Sequence, residues 1–352
     1  MKKYVLAGAL AFAVCASQVN AESPALSGFI DATYNRNLNS GDTGPTTNQH
    51  HSFDAQANSF LLNAVHLAAT GKGGEELSYV IEVDMGTDAA ATNSGGLGAG
   101  DEMDLQEAYF TYDCPNSNFG FKAGKFVTYE GIEVIESGAN PTVTRGLLFG
   151  LAEPYTHTGI VATYQLTSAL DVHAGLVNGW DLFVDNNTRP TGVVKLGYSG
   201  GDPLTLTVSA YLGPEQAGNT DDSRMSVDAT GVSKSIKNLD LWFQVNYGSE
   251  AKVVAGEDAS WLGFGLQPLY HFSEKTCLGL RYEYFKDSDG GRTGMKQALQ
   301  NISIAPAYCL TKNLVSRVEF RSDMSDMDVY TDGDGKATGT QMGVTAEMIY
   351  SF

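Results

Sequence analysis

The sequence is short of several things at once. It has four cysteines, ten prolines and six histidines, and its 22 lysines and arginines face 41 aspartates and glutamates. Nowhere does it run 18 or more apolar residues without interruption, so it has no segment from which to build a transmembrane helix. The deficit of basic charge disfavours nucleic acid as a partner, because binding there depends on Lys and Arg neutralising phosphates. The histidines carry no metal-ligand spacing: His50 and His51 are adjacent, and His66, His157, His173 and His271 are scattered. No Ser/His/Asp grouping can be assembled from sequence order, so we expect no enzyme, no metal site and no cofactor. What is abundant is glycine, at 40 residues, and tyrosine, at 17. With proline scarce, this suits many strands joined by tight turns.

The first residues stand apart. MKKYVLAGALAFAVCASQVNA has two lysines, an apolar run of about a dozen residues and a small-residue end, the layout of a cleaved secretory signal. The expected division is a signal peptide at 1–21 and one domain at 22–352. Cys15 then belongs to the discarded peptide. Without Lys2 and Lys3 the balance is 20 basic against 41 acidic residues.

The strongest signal is alternation. LTLTVSAYL sets Leu204, Leu206, Val208, Ala210 and Leu212 against Thr205, Thr207, Ser209 and Tyr211. LDLWFQVNY and CLGLRYEYF repeat the pattern. A period of two with one apolar and one polar face is the mark of a half-buried strand. A soluble β-sandwich or a solenoid would show the same rhythm. Two features argue instead for a membrane barrel. The strands run about 9–12 residues, the length a tilted strand needs to cross a bilayer. The connections alternate between short (TGKGGE, CPNSN, TSA, GGDP, SIKN, SEK, TKN) and long (near 38–57, 85–102, 127–154, 179–190, 213–223, 248–258, 286–297 and 323–338). The expected fold is all-β: a closed antiparallel transmembrane β-barrel of about 16 strands, with short periplasmic turns and long external loops. The closing strand is TAEMIYSF, pairing with LSGFIDATYN near the start. Its outward residues Met348, Tyr350 and Phe352 are expected to end in an aromatic girdle and to serve as an assembly signal for the barrel-insertion machinery.

One stretch is distinctive: GKFVTYEGIEVIESGANPTVTRGLLFGLAEPYTHTG. Gly124 to Phe126, Glu133 to Ser137, Asn140, Arg145 to Gly150 and Glu153 to Gly159 resemble the most recognisable part of the OmpL-like β-barrel porin family. NGWDLFVDNN, from Asn178 to Asn187, is similar to the same family's later motif. Ala152 and Ile132 depart from its pattern. The resemblance spans most of the chain. It implies an outer-membrane porin, a passive channel for small hydrophilic solutes and ions. The alternative is a plugged barrel acting as an adhesin or structural anchor. Expected partners are outer-membrane lipid and lipopolysaccharide, the barrel-assembly machinery and the permeating solutes; the sequence leaves monomer and homotrimer open.

The segment 127–154 is 28 residues long and rich in apolar side chains, among them Ile135, Leu147, Leu148 and Phe149. Water would not tolerate that surface on a free loop, so we expect it to fold into the lumen. It carries Glu130, Glu133, Glu136 and Glu153 against the one cation Arg145. By alternation Lys122, Lys195, Arg281, Arg317 and Arg321 point inward, with Glu82, Asp84, Glu107, Glu283, Glu319 and Glu347. A basic strip of Lys122, Arg281, Arg317 and Arg321 facing an acidic loop would define a constriction with weak cation preference. The blander reading is that these charges only anchor the loop. Cys277 and Cys309 share a parity at the short-turn end of neighbouring strands and are candidates for a disulfide; Cys114 starts a turn and looks unpaired. Asp332, Asp334 and Gly335 lack the remaining spacing of a calcium loop.

Overall fold

The computed structural model describes residues 23–41, 47–92, 102–201 and 203–352. The proposed signal peptide lies outside the described residues. The strands are β1 (Ala25–Asn37), β2 (Ser59–Lys72), β3 (Leu77–Met85), β4 (Met103–Asp113), β5 (Phe119–Val127), β6 (Thr156–Gln165), β7 (Leu170–Val177) and β8 (Thr191–Ser199). They continue as β9 (Leu204–Pro214), β10 (Ser223–Ile236), β11 (Leu239–Val254), β12 (Glu257–Ser273), β13 (Thr276–Asp287), β14 (Gln297–Cys309) and β15 (Leu314–Ser325). A two-strand hairpin, β16 (Tyr330–Thr331) and β17 (Ala337–Thr338), decorates the last long loop before β18 (Thr340–Ser351). Sixteen of these close into one antiparallel barrel, each strand beside its sequence neighbour, with β18 between β15 and β1. Closure excludes the sandwich and the solenoid.

The seam lies where the alternation places it. Ile30 pairs with Tyr350, Ala32 with Met348 and Tyr34 with Ala346. The last residue completes the ladder: Phe352 N–H donates to Gly28 O at 3.0 Å, and Gly28 N–H donates to Phe352 O at 3.1 Å. Gly28 is needed here, because a Cβ would run into the His66 carbonyl oxygen and also meet the Phe352 ring. Tyr350 and Phe352 are exposed, with ring centroids 6.2 Å apart. Tyr164, Tyr198, Tyr270, Phe272 and Tyr308 are exposed near the same short-turn end. That is an aromatic belt at one membrane interface. Beyond this belt the outer face is apolar, with Ile160, Leu176, Val194, Val245, Ile302 and Phe320 exposed.

The inner face is the reverse. On β1, Asp31, Thr33, Asn35 and Asn37 are all buried while Leu26 is 76% exposed. Burial of polar groups and exposure of apolar ones is the signature of a barrel whose solvent is lipid outside and polar matter inside.

Two expectations are corrected. The connection near 248–258 is not a long loop. β11 and β12 run on until Val254 faces Glu257, with a register break after Glu250. Ala255 and Gly256 turn the chain with φ of 51° and 87°, the left-handed pair that a two-residue hairpin requires. The cysteine pair is also corrected. Cys277 stands opposite Ala307, and Cys309 N–H donates to Lys275 O at 2.8 Å. The two are diagonal rather than facing, and Cys114, Cys277 and Cys309 are all free thiols.

Phe352→Ala removes the ring that covers Gly28 at the seam. We expect less folded barrel with an unchanged fold in what assembles, measured as membrane yield and heat-modifiability on a gel. Wild-type yield in the variant would show that the ring is dispensable.

Candidate functional site: the inner wall and the loop against it

The chain from Thr128 to Tyr155, between β5 and β6, is bonded to inward-facing side chains over much of its length. It leaves β5 with Val127 N–H donating to Glu107 at 2.7 Å. Tyr129 N–H then donates to the Tyr211 hydroxyl at 3.1 Å, and Ser209 Oγ donates to Tyr129 O at 3.0 Å. Gly131, at φ 89°, lets the backbone turn so that its N–H reaches Asp228 at 3.1 Å; a Cβ there would overlap the Glu153 carboxylate.

The densest contacts surround Arg281 on β13, which is 1% exposed. Its guanidinium donates to Glu133 at 3.0 Å, to Thr142 Oγ1 at 2.7 Å, to Thr144 Oγ1 at 2.9 Å and to Thr144 O. Glu319 lies 3.3 Å from the same group and accepts from the N–H of Val143 at 2.8 Å and of Thr144 at 2.7 Å. Arg317 donates to Asn140 O at 2.9 Å, to Ser137 Oγ at 2.6 Å and to Glu347. Glu283 accepts from Leu147 N–H at 2.5 Å. Wall strands supply both signs of charge, and the loop supplies backbone donors, hydroxyls and Glu133. Buried charges are tolerable only when paired and fully hydrogen-bonded, and here they are.

Apolar packing finishes the attachment. Leu147, Leu148 and Ala152 are buried in a cluster with Trp180, Trp261, Phe285 and Leu299. Leu148 lies over Gly263 and Gly265 of β12, and Pro141 sits so close to Gly279 that a Cβ there would overlap its carbonyl oxygen. The bare inner face at these glycines is the seat of the loop.

Two further segments join it. Arg145 bonds Asp88 at 2.6 Å, from the short helix Thr87–Thr92, and also Ile135 O; its guanidinium lies 4.6 Å from the Phe53 ring. From the first long loop, Asp54 pairs with Arg321, and His51 lies 3.0 Å from Asp323 and 3.3 Å from Asp54. His51 is fully enclosed. Burial and Arg321 oppose its positive charge, but the two carboxylates prevail and its pKa rises to about 9.

The sequence-predicted residues therefore fall into two groups. Arg145, Arg281, Arg317, Arg321, Glu130, Glu133 and Glu153 are buried against one another and the wall. Burial, reinforced by the neighbouring Asp228, pushes Glu130 and Glu153 well above the ordinary carboxylate range and favours their neutral forms. Ser226 Oγ lies 2.5 Å from Glu130, and Gln244 donates to Glu153 at 2.6 Å. Glu136 and Lys122 are the two that stay partly exposed. Glu136 takes part in a 2.5 Å contact with Gln106 of β4. Asp228, Gln244, Gln267 and Tyr211 were missed as site residues. Alternation puts Gln244 on the inward face, but nothing along a strand tells which inward groups, neutral or charged like Asp228, meet the loop. In the last long loop Asp332 accepts from Lys336 N–H at 2.8 Å and closes its own turn.

The contacts lie mostly on the β9–β15 and β18 side. On the β2–β8 side two cavities remain. One of about 380 Å³ is lined by Glu82, Glu107, Glu136, His66, Val134 and Phe149. The other, of about 520 Å³, is lined by Lys122, His173, Lys195 and Asp171 with residues of the β4–β5 turn.

A family model described as "Putative beta-barrel porin-2, OmpL-like" matches residues 24–352. The chain belongs to this family. It is a porin-type transmembrane β-barrel. No curated protein sequence matches it. Solved structures share the fold at low identity. The outer membrane channel DcaP of Acinetobacter baumannii is 14% identical, with 95% of this chain and 98% of that chain covered and a TM-score of 0.64. The anion-selective porin from Comamonas acidovorans is 10% identical, with 95% and 100% covered and a TM-score of 0.65. OprB of Pseudomonas putida is 12% identical, with 96% of each chain covered and a TM-score of 0.60.

Arg281→Ala strands Glu133 and Glu319 in the interior. Removing one partner of a buried ion pair costs about 3–5 kcal/mol. We expect a lower Tm and cleavage by protease within 128–155; an unchanged Tm and an intact loop would show the anchor to lie elsewhere.

His51 gives a pH dependence. Its folded pKa of about 9 lies above the ordinary imidazole value, so its stabilisation is complete below the ordinary value and fades as pH rises through about 9. Between about pH 7 and pH 10 we expect a fall in Tm that is smaller in His51→Gln; equal falls would remove His51 as the cause.

Proposed function

We propose that this barrel is an outer-membrane diffusion channel for small hydrophilic solutes and ions, with weak preference for cations, and that the lumenal loop narrows its passage. The observation that carries the reading is the one-sided attachment of the loop. Its bonds converge on β9–β15 and β18, and the cavities of about 520 and 380 Å³ lie toward β2–β8, with a smaller one of about 320 Å³ beside Val315, Arg317 and Ile349 on the anchored side. The family supports an outer-membrane location and a non-enzymatic role. The lining supports hydrophilic traffic: Glu82, Glu107 and Glu136 border one cavity, and Lys122, His173 and Lys195 border the other.

Cation preference follows from which charges stay in contact with water. The arginines of the anchor are matched by carboxylates, and Glu130 and Glu153 favour the neutral acid, so neither set contributes much field. What remains is Glu82 and Glu136, both partly exposed, with the buried Glu107 behind them, against Lys122 and Lys195. Fixed charge of one sign concentrates its counter-ion, with screening over about 10 Å at 0.1 M salt. Transport to the membrane by a cleaved signal, insertion by the barrel-assembly machinery through the Phe352 strand, contact with lipopolysaccharide and assembly as a homotrimer complete the proposal. A trimer form is recorded for the neighbour OmpT of Vibrio cholerae, 13% identical with a TM-score of 0.61, with 94% of this chain and 99% of that chain covered.

Planar-bilayer recording tests the reading. We expect discrete conductance steps and a reversal potential of cation sign in a salt gradient, strongest at low salt. Glu136→Gln is expected to move it toward anions, and Glu130→Gln to leave it in place. A barrel that inserts without conducting would instead be a plugged structural or adhesin-type barrel.

A further inference from the structure

The open side of the lumen holds two ammonium groups that the loop does not consume. Lys122 of β5 has its Nζ 4.5 Å from the centre of the Tyr109 ring, 5.2 Å from Phe126 and 5.7 Å from Tyr129. Among the described residues no carboxylate lies within ion-pair distance of it, whereas Lys125, three residues on, is 2.9 Å from Asp104. Lys195 of β8 approaches the same Tyr129 ring, at 5.5 Å. Asp171 sits 3.2 Å from Lys195 and 2.8 Å from His173 Nε2, while His173 Nδ1 is 3.2 Å from the Tyr129 hydroxyl. These groups line the 520 Å³ cavity, which Ser117 and Asn118 border at the short-turn end.

The arrangement differs in kind from the anchor. Around Arg281 three carboxylates, Glu133, Glu283 and Glu319, lie within 4 Å of the guanidinium, so no positive charge is left over. Here Asp171 is shared between Lys195 and the His173 imidazole, and Lys122 rests on aromatic faces with no carboxylate at ion-pair distance among the described residues. A ring quadrupole orients a cation without neutralising it, so positive charge remains available to a solute. Two ammonium groups over one tyrosine ring, in a wet cavity of this size, offer donors to a compact anion from two directions.

We propose that Lys122 and Lys195, positioned by Tyr129, form a binding subsite for a compact oxyanion, a carboxylate or a phosphate, at the short-turn end of the lumen. The subsite rests on the channel reading only for its role in transport. Glu82 and Glu136 bias the passage as a whole toward cations, and this shelf holds an anion locally against that trend.

The test uses folded protein in detergent and does not depend on conduction. Inorganic phosphate is titrated and followed by phosphorus line broadening; acetate is titrated separately and followed by its methyl proton line width. We expect saturable broadening in at least one arm. Phosphate alone would identify phosphate as the ligand class, acetate alone a carboxylate. Lys122→Gln and Lys195→Gln, each checked for folding by heat-modifiability, should each weaken binding by roughly twofold to fivefold. The double variant should abolish it, and Asp171→Asn should strengthen it. No broadening in either arm, or equal broadening in the double variant, overturns the subsite. A barrel that binds but does not conduct would leave the subsite standing and remove the channel reading instead.

Discussion

Lipid offers a backbone no hydrogen bonds, and most of this architecture follows from that. An open sheet edge in hydrocarbon would leave a row of unpaired N–H and C=O groups, so the sheet must return to its own first strand. β18 meets β1 from Gly343 opposite Asn37 to Ser351 opposite Phe29, and the backbone of Phe352 closes on Gly28. Because neighbouring side chains in a strand point to opposite faces, closure also fixes a second property. Every strand must be apolar on the lipid side and is free to be polar within.

That freedom creates the interior problem. A barrel of sixteen strands encloses more space than its own side chains fill, and the polar groups on its inner face need partners. The loop between β5 and β6 supplies them along one side. Glu319 alone receives two backbone N–H groups and a hydroxyl from Val143 and Thr144. Arg281 joins two carboxylates and two threonines in a dry setting, where each contact is strong and each omission would be costly. Glycines at 263, 265 and 279 give the loop room to approach the wall. The anchoring charges are thereby buried against one another, and the partly exposed charges at the cavities are a smaller and differently placed set.

The division between anchored and open sides also explains why charge alone is a poor guide to selectivity here. The chain carries 41 acidic residues, yet several that the loop displays are neutralised by burial or by arginine. Lys122, less conspicuous in the sequence than the arginines, is an inward-facing cation with no carboxylate at ion-pair distance among the described residues.

The sequence alone determined the closed barrel of about 16 strands, its seam and the inward face of Arg281, Arg317, Arg321, Glu283 and Glu319, because a period of two needs only neighbours along the chain; it did not reveal Asp228, or Lys125, which is buried against Asp104 out of phase with Lys122. It misjudged 248–258, where polar residues with a left-handed Ala255–Gly256 pair continue a hairpin rather than open a loop. It brought Cys277 and Cys309 to the same end but could not fix their offset by one pair, since register depends on the turn between them. It could not distinguish Arg281 from Lys122 either: both point inward, and their difference lies in what stands across the lumen. Arg281 meets Thr144, 137 residues away in sequence, and Lys122 meets the rings of Tyr109, Phe126 and Tyr129. Those partners are decided by how the loop packs on the curved wall, a matter of shape in three dimensions that alternation along one strand does not encode.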